Sequence, residues 1–301
     1  MTKPSKQDHG GDMADLTERY PDAPRPLLDL STGINPWSYP VHPSDFDALR
    51  SLPQQQAERD AQQALSAYLG IPASAAMALT PGSQIALSLL PHCLQAGEAG
   101  IFEPTYNEHR PAWQRAGHTT VSLSAGEEVG PNLRYLVLVN PNNPDGVTMP
   151  RHRLLDLSDA VRRRGGWLVV DEAFCDLDPA VSVAGDAADG RLIVLRSFGK
   201  FFGLGGIRFG AAIGPATVID TLREMIGPWA VSAPALAVAA RAYRDTDWID
   251  TTRRELAAAR QRLDNLFERA GFSPVGGTDL FRLISHADAA GMAGKLAEKG
   301  I

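Results

Sequence analysis

YLVLVNPNNPDG, residues 135–146, runs an unbroken apolar stretch into a loop of Asn and Pro, and WLVVDEAF, residues 167–174, repeats the plan with an acidic start to the loop. Consecutive apolar residues without alternation suit a strand covered on both faces, as in a parallel sheet. Between the two lies LLDLSDAVRRRG (Leu154–Gly165), whose apolar spacing is helical. Strand, helix and strand in that order predict a crossover unit with parallel pairing. The same logic extends outward to GIF near residue 101, LIVLRS at 192–197 and FGAAIG at 209–214.

Upstream, ERDAQQALSAYL (Glu58–Leu69) places Ala61, Ala64, Leu65 and Tyr68 on one helical face, with Gly70 as a stop signal. A second helix is predicted to begin at or just after Pro81–Gln84, with Ile85, Leu89 and Leu90 on its buried side. Residues 1–45, rich in Pro, Gly and Asp, read as an arm whose only strand-like piece is Leu27–Leu30. Beyond Ser232, TRRELAAARQRLDNLFERAG predicts a long helix, followed by one strand, LFRLIS at 280–285, and a final helix ending at Lys299. The expected fold class is α/β, a mostly parallel sheet flanked by helices with a small α+β domain. The expected units are an arm over 1–45, a large domain over 46–235 and a small domain over 236–301.

Bulk properties narrow the function classes. The chain has 301 residues, 44% hydrophobic and 21% charged, within the usual globular range. A net charge of −6 without clustered Lys and Arg argues against nucleic acid as a partner. Cys93 and Cys175 are the only cysteines and form neither a disulfide framework nor a metal-ligand spacing, which suits a reducing cytoplasm. The N-terminus lacks an apolar leader, and there is no run of about 18 apolar residues, so neither secretion nor membrane spanning is expected.

In α/β sheets chemistry collects beyond the carboxyl ends of strands, so the polar residues that follow the apolar runs are candidates. Asn140–Gly146 forms an irregular loop that presents amides, or else a plain turn. Asp171 puts a carboxylate at the mouth of a strand, costly to bury unless it meets a cation, although a helix cap or a structural ion pair would place it there too. SFGKFFGLGGIRFG (Ser197–Gly210) sets Lys200 among aromatics and glycines, surroundings that lower an amine's pKa and leave it nucleophilic toward carbonyls. Gly82, Ser83 and Gln84 sit at a helix start, where free N–H groups suit a phosphate, or simply cap the helix.

In this order and together, these segments resemble the fold-type I pyridoxal-phosphate enzymes of the aminotransferase class I/II family, from about Leu28 onward. The resemblance implies an aminotransferase-like large domain and pyridoxal 5′-phosphate held as a Schiff base on Lys200. Asp171 would face the pyridine nitrogen, and Asn143 the phenolic oxygen. Tyr106, in EPTYNEH, would stack on the ring, and Ser197, Arg208 and the Gly82–Gln84 amides would hold the phosphate. Phe174 stands where the family commonly has Tyr, so one hydrogen bond to the phenolic oxygen would be missing.

DHGG (Asp8–Gly11) and LDLSTGINPWSYP (Leu28–Pro40) are similar to N-terminal segments of the threonine-phosphate decarboxylases of cobalamin biosynthesis. That likeness implies decarboxylation of a phosphorylated amino acid, with His9, Gly10, Asn35 and Asn143 lining its site. The wider family resemblance implies a homodimer, since its sites usually form at a dimer interface. A histidinol-phosphate or related amino-acid aminotransferase is the alternative, since the cofactor residues are shared. The family continues past the final helix into strands with arginines for the substrate's acidic groups. Arg282 is no match for them, so an incomplete substrate site, an unpaired LFRLIS strand and poor turnover are expected.

Overall fold

The computed structural model describes residues 10–124, 126–127, 129–188 and 190–301, so His9 lies outside the described residues. Its strands are β1 (Ala76–Thr80), β2 (Glu98–Phe102), β3 (Thr119–Leu123), β4 (Tyr135–Val139), β5 (Trp167–Asp171), β6 (Leu192–Ser197), β7 (Gly210–Gly214), β8 (Pro274–Thr278) and β9 (Phe281–Ile284). Its α-helices are α1 (Met13–Arg19), α2 (Gln55–Leu69), α3 (Ser83–Leu89), α4 (His109–Arg115), α5 (Arg151–Arg162), α6 (Ala216–Ile226), α7 (Ala233–Ala242), α8 (Thr246–Arg269) and α9 (Ala289–Ala297).

Strands β1 to β7 form one sheet in the order β1-β7-β6-β5-β4-β2-β3. Only β7 runs against the direction of the other six strands, so the mostly parallel α/β fold expected from the sequence is what forms. β4 and β5 are buried along their whole length, which explains their continuous apolar runs. Leu136, Leu168 and Val170 pack on one face against Ala61, Leu65 and Leu236 of α2 and α7. Val137, Val169 and Ile193 pack on the other against Ala86, Leu87, Trp113 and Ile219. Each buried Leu, Ile or Val among them contributes about 1.5–3 kcal/mol by burial.

Register brings the carboxyl ends together. Asp171 pairs with Val139 on one side and Leu195 on the other. Thr80 and Ser197 both pair with Gly210. The segments that leave Thr80, Val139, Asp171 and Ser197 therefore emerge from one edge of the sheet, where ligands of such folds sit.

Three sequence expectations need correction. Leu27–Leu30 is not a strand; the Leu28 N–H donates to the Gly300 carbonyl at 2.7 Å, and the arm's regular element is α1 instead. On α3 the buried residues are Ala86 and Leu87, while Ile85 is exposed, because the sheet beneath sets the helix's rotation rather than its own apolar content. LFRLIS does find a partner: β9 pairs antiparallel with β8, whose PVGGT composition reads as a turn.

The β8–β9 hairpin touches the main sheet's loops without side chains between them. The Gly277 N–H donates to the Asp145 carbonyl at 2.7 Å. A Cβ on Gly146 would lie 2.0 Å from the Gly277 oxygen, and one on Gly276 would lie 2.2 Å from the Asp145 oxygen, so only glycine fits at either point.

Candidate active site

A cleft with about 680 Å³ of open space lies at that edge of the sheet, and its lining includes Ser83, Gln84, Tyr106, Asn143, Asp171, Phe174, Ser197, Lys200 and Arg208. Gly82 adjoins it, with the Arg208 guanidinium lying where a Cβ would be. Gly10 and Asn35 are placed otherwise. Gly10 is pressed against the Ser31 carbonyl. Asn35 is buried, its Nδ2 donating to the Phe201 carbonyl at 2.8 Å and its backbone N–H to the Lys200 carbonyl at 2.9 Å. Its amide thus straps the arm to the lysine turn.

Lys200 sits on the turn after β6, with Nζ 5.7 Å from the centre of the Phe174 ring. Burial pulls its pKa below the ordinary lysine value; the Asp171 carboxylate opposes that pull and Arg208 reinforces it. A larger neutral fraction makes the amine a better nucleophile toward a carbonyl. Asp171, the last residue of β5, is shut off from water and accepts from the Ala173 N–H at 3.1 Å. Its other oxygen faces His109 Nε2 at 3.2 Å.

His109, the first residue of α4, is fully buried, and sequence reasoning did not single it out. The available signal was its position in EPTYNEH, just beyond the carboxyl end of β2. Tyr106 from the same segment lies edge-on to His109 and donates its hydroxyl to Gln84 Oε1 at 3.0 Å. Burial raises the Tyr106 phenol above its usual pKa, helped by the Glu108 and Asp171 carboxylates, so it stays protonated.

The Asn loop divides its work. Asn140 is tied to Met149 through both its amide oxygen and nitrogen, and Asn142 donates to Asp145 and to the Pro104 carbonyl. Asn143 faces the cleft. Arg208 adopts a left-handed conformation with φ 57°, and its guanidinium donates to the Gly205 carbonyl at 3.0 Å. The Phe174 ring meets Phe281 of β9 at 5.0 Å between centres, and Gly33 of the arm closes over both.

This cleft pairs a depressed-pKa amine with a buried carboxylate, an aromatic wall and a cationic cradle, as an enzyme that handles a phosphorylated carbonyl cofactor requires. A sequence model of the aminotransferase class I and II family matches residues 43–301, and the chain belongs to that family. The chain is 40% identical over 297 residues to a threonine-phosphate decarboxylase of Pseudomonas aeruginosa, covering 98% of this chain and 88% of that one. A threonine-phosphate decarboxylase of Sinorhizobium is 38% identical, with 97% and 88% covered. Among solved structures, a histidinol-phosphate aminotransferase of Sinorhizobium meliloti in complex with pyridoxal-5′-phosphate superposes with a TM-score of 0.74 at 20% identity, covering 93% and 81%.

The family's cofactor is pyridoxal 5′-phosphate, and the cleft fits it. Gly82 and Gly210 leave a bare backbone around Ser83 N–H, where a Cβ on either would fill the space beside Arg208 and that amide. The amine and the carboxylate line the same cavity.

Proposed function

We propose that this chain decarboxylates L-threonine O-3-phosphate to (R)-1-aminopropan-2-ol O-2-phosphate, a step of cobalamin biosynthesis. The observation that carries this reading is the 40% identity to a threonine-phosphate decarboxylase over nearly the whole chain, combined with Lys200 and Asp171 in one cleft. Phe174 in that cleft agrees with it.

When bound, the cofactor supplies an electron sink for the pair left as a bond at the substrate's Cα breaks. The remaining work falls to side chains. Asp171, backed by His109, would face the ring nitrogen from deep in the cleft and favour its protonated form. Arg208, Ser197 and the Gly82–Gln84 turn would hold the cofactor phosphate, and Asn143 would hydrogen-bond the phenolic oxygen. Tyr106, fixed by Gln84, would cover the ring. Lys200 Nζ would hold the cofactor and, once the substrate amine had replaced it, would be the amine placed to hold a proton for Cα. Phe174, Phe281 and Gly33 shield that amine from water, which favours a single protonation at carbon. Choice of the bond that breaks depends on orientation; of His9, Gly10, Asn35 and Asn143, the residues the resemblance gives to the substrate, Asn143 lines the cleft, while Asn35 acts through the lysine turn it holds.

The same reading makes the enzyme a cytoplasmic homodimer. Cys93 and Cys175 as free thiols agree with a reducing compartment, and Phe46, Leu49 and Trp229, all exposed, agree with a partner surface. No helix among the described residues is long and apolar enough to cross a membrane.

The test is product analysis. Protein loaded with pyridoxal phosphate is given threonine phosphate, and carbon dioxide and the aminopropanol phosphate are measured. Formation of glutamate instead, from the same amino donor or histidinol phosphate with 2-oxoglutarate, would replace this reading by an aminotransferase.

A further inference from the structure

Behind the cleft, on the opposite side of the chain that forms its wall, lies a group of fully buried charges. Arg196, on β6, donates from Nη1 to Glu172 Oε2 at 3.1 Å and to the Glu172 carbonyl at 3.2 Å, and from Nη2 to Asp176 Oδ1. All three side chains are at most 1% exposed. Glu172 is further held by the Ser182 hydroxyl and the Val183 N–H, each at 2.7 Å. Asp176 lies in a short turn whose carbonyl accepts from Arg253 Nε at 2.8 Å. Burial pushes both carboxyls up while the guanidinium pulls them down, and the guanidinium itself is held protonated by the carboxylates.

As a stabilising device this is a poor choice, because apolar side chains in the same space would avoid the desolvation of three charges. What a planar guanidinium adds over apolar packing is direction: it fixes the two carboxylates at set angles. The placement along the chain shows what those angles hold. Asp171, Ala173 and Phe174 line the cleft, whereas the intervening Glu172 and the following Asp176 turn back to Arg196. Arg196 in turn directly precedes Ser197, the start of the turn that carries Lys200.

We propose that Arg196 is a positioning residue for the cofactor cleft, gripping Glu172 and Asp176 so that the wall bearing Asp171 and Phe174 is fixed against the turn bearing Ser197 and Lys200. This rests on the reading that the cleft holds pyridoxal phosphate on Lys200. Loosening the grip lets the Phe174 wall part from the amine and admits water. Relief of burial then raises the basicity of the lysine-bound cofactor, a change that loss of fold stability alone does not produce.

The experiment uses Arg196→Lys, which keeps the charge but loses the planar fork, and Asp176→Asn, which keeps shape and an acceptor. Asp186→Asn is the control, since it removes a carboxylate paired with Arg151 and touches none of the three buried charges. Borohydride reduction of the wild-type protein, with mass mapping of the labelled lysine, first tests the cofactor assignment by itself. Hydrogen exchange is then followed in cofactor-free protein at residues 173–178, and the pH midpoint of the bound-cofactor absorbance is measured in loaded protein. Expected are exchange faster by about tenfold in both variants, an upward midpoint shift, and neither change in Asp186→Asn. If Arg196→Lys does not fold, Asp176→Asn decides. A folded Asp176→Asn protein with a wild-type midpoint overturns the proposal, and a midpoint that shifts equally in Asp186→Asn does so as well.

Discussion

His109 Nε2 stands 3.2 Å from Asp171 Oδ2, with both side chains shut off from water. A buried carboxylate is costly unless partnered, and the imidazole and the Ala173 N–H are the partners the fold provides. His109→Ala is expected to cost about 1–3 kcal/mol of stability. It should also weaken pyridoxal phosphate binding about tenfold, equivalent to 1.4 kcal/mol. His109→Gln should recover part of both. Thermal denaturation and equilibrium dialysis measure the two effects, and unchanged cofactor affinity in His109→Ala would separate this residue from the site.

Lys200 gives a pH signature in cofactor-free protein. Its folded pKa lies below the usual 10.5, chiefly through burial, so charging it opposes folding. The penalty is complete below the folded pKa and is relieved as pH rises toward 10.5, because the unfolded chain binds the extra proton in that window. Lys200→Met should therefore be more stable than wild type at neutral pH, with the gap narrowing as pH rises. Denaturant midpoints across that range check the trend, and a gap that widens with pH would contradict it.

Phe174 presents a ring without a hydroxyl, its centre 5.7 Å from Lys200 Nζ. In Phe174→Tyr a hydroxyl becomes available to the cofactor's phenolic oxygen, and the pH midpoint of the bound-cofactor absorbance should fall. Identical midpoints in the two proteins would refute the assignment.

Gly82 has φ 83°, and a Cβ there would sit 2.3 Å from Arg208 Nη2. The guanidinium would have to swing away, leaving the place proposed for it beside the phosphate. Gly82→Ala should cost about 1 kcal/mol of stability from the backbone alone. Cofactor affinity should fall further, by about tenfold. Calorimetric titration of the apoprotein with pyridoxal phosphate reads this, and affinity equal to wild type would remove Gly82 from the cradle.

The sequence was most legible where the physics is local and one-sided. YLVLV and WLVV announce themselves because both faces of those strands are buried. β3, with exposed Thr119 and Ser122, and β8, with Pro and two Gly, lack that signature, so nothing local marks them as strands. Lys200, Asp171 and Gly82 stand out because each ends or follows a strand or opens a helix, where sheet geometry predicts a site, and Arg208 comes with the family resemblance. His109 escaped because its partner is 62 residues away, a pairing that no local pattern carries. The rotation of α3 escaped for a similar reason: Ile85 is as apolar as its neighbours, and only the sheet beneath decides which of them it covers.

The bare contact between Gly146 and the β8–β9 hairpin has a mechanical consequence. Backbone meeting backbone, with one N–H shared between Gly277 and Asp145, leaves no compliant side chain to absorb displacement. Any swing of the hairpin is delivered undamped to the loop that presents Asn143, so the two behave as a lever and its load. A mutation at either glycine is thereby felt at both ends, though they lie far apart along the chain.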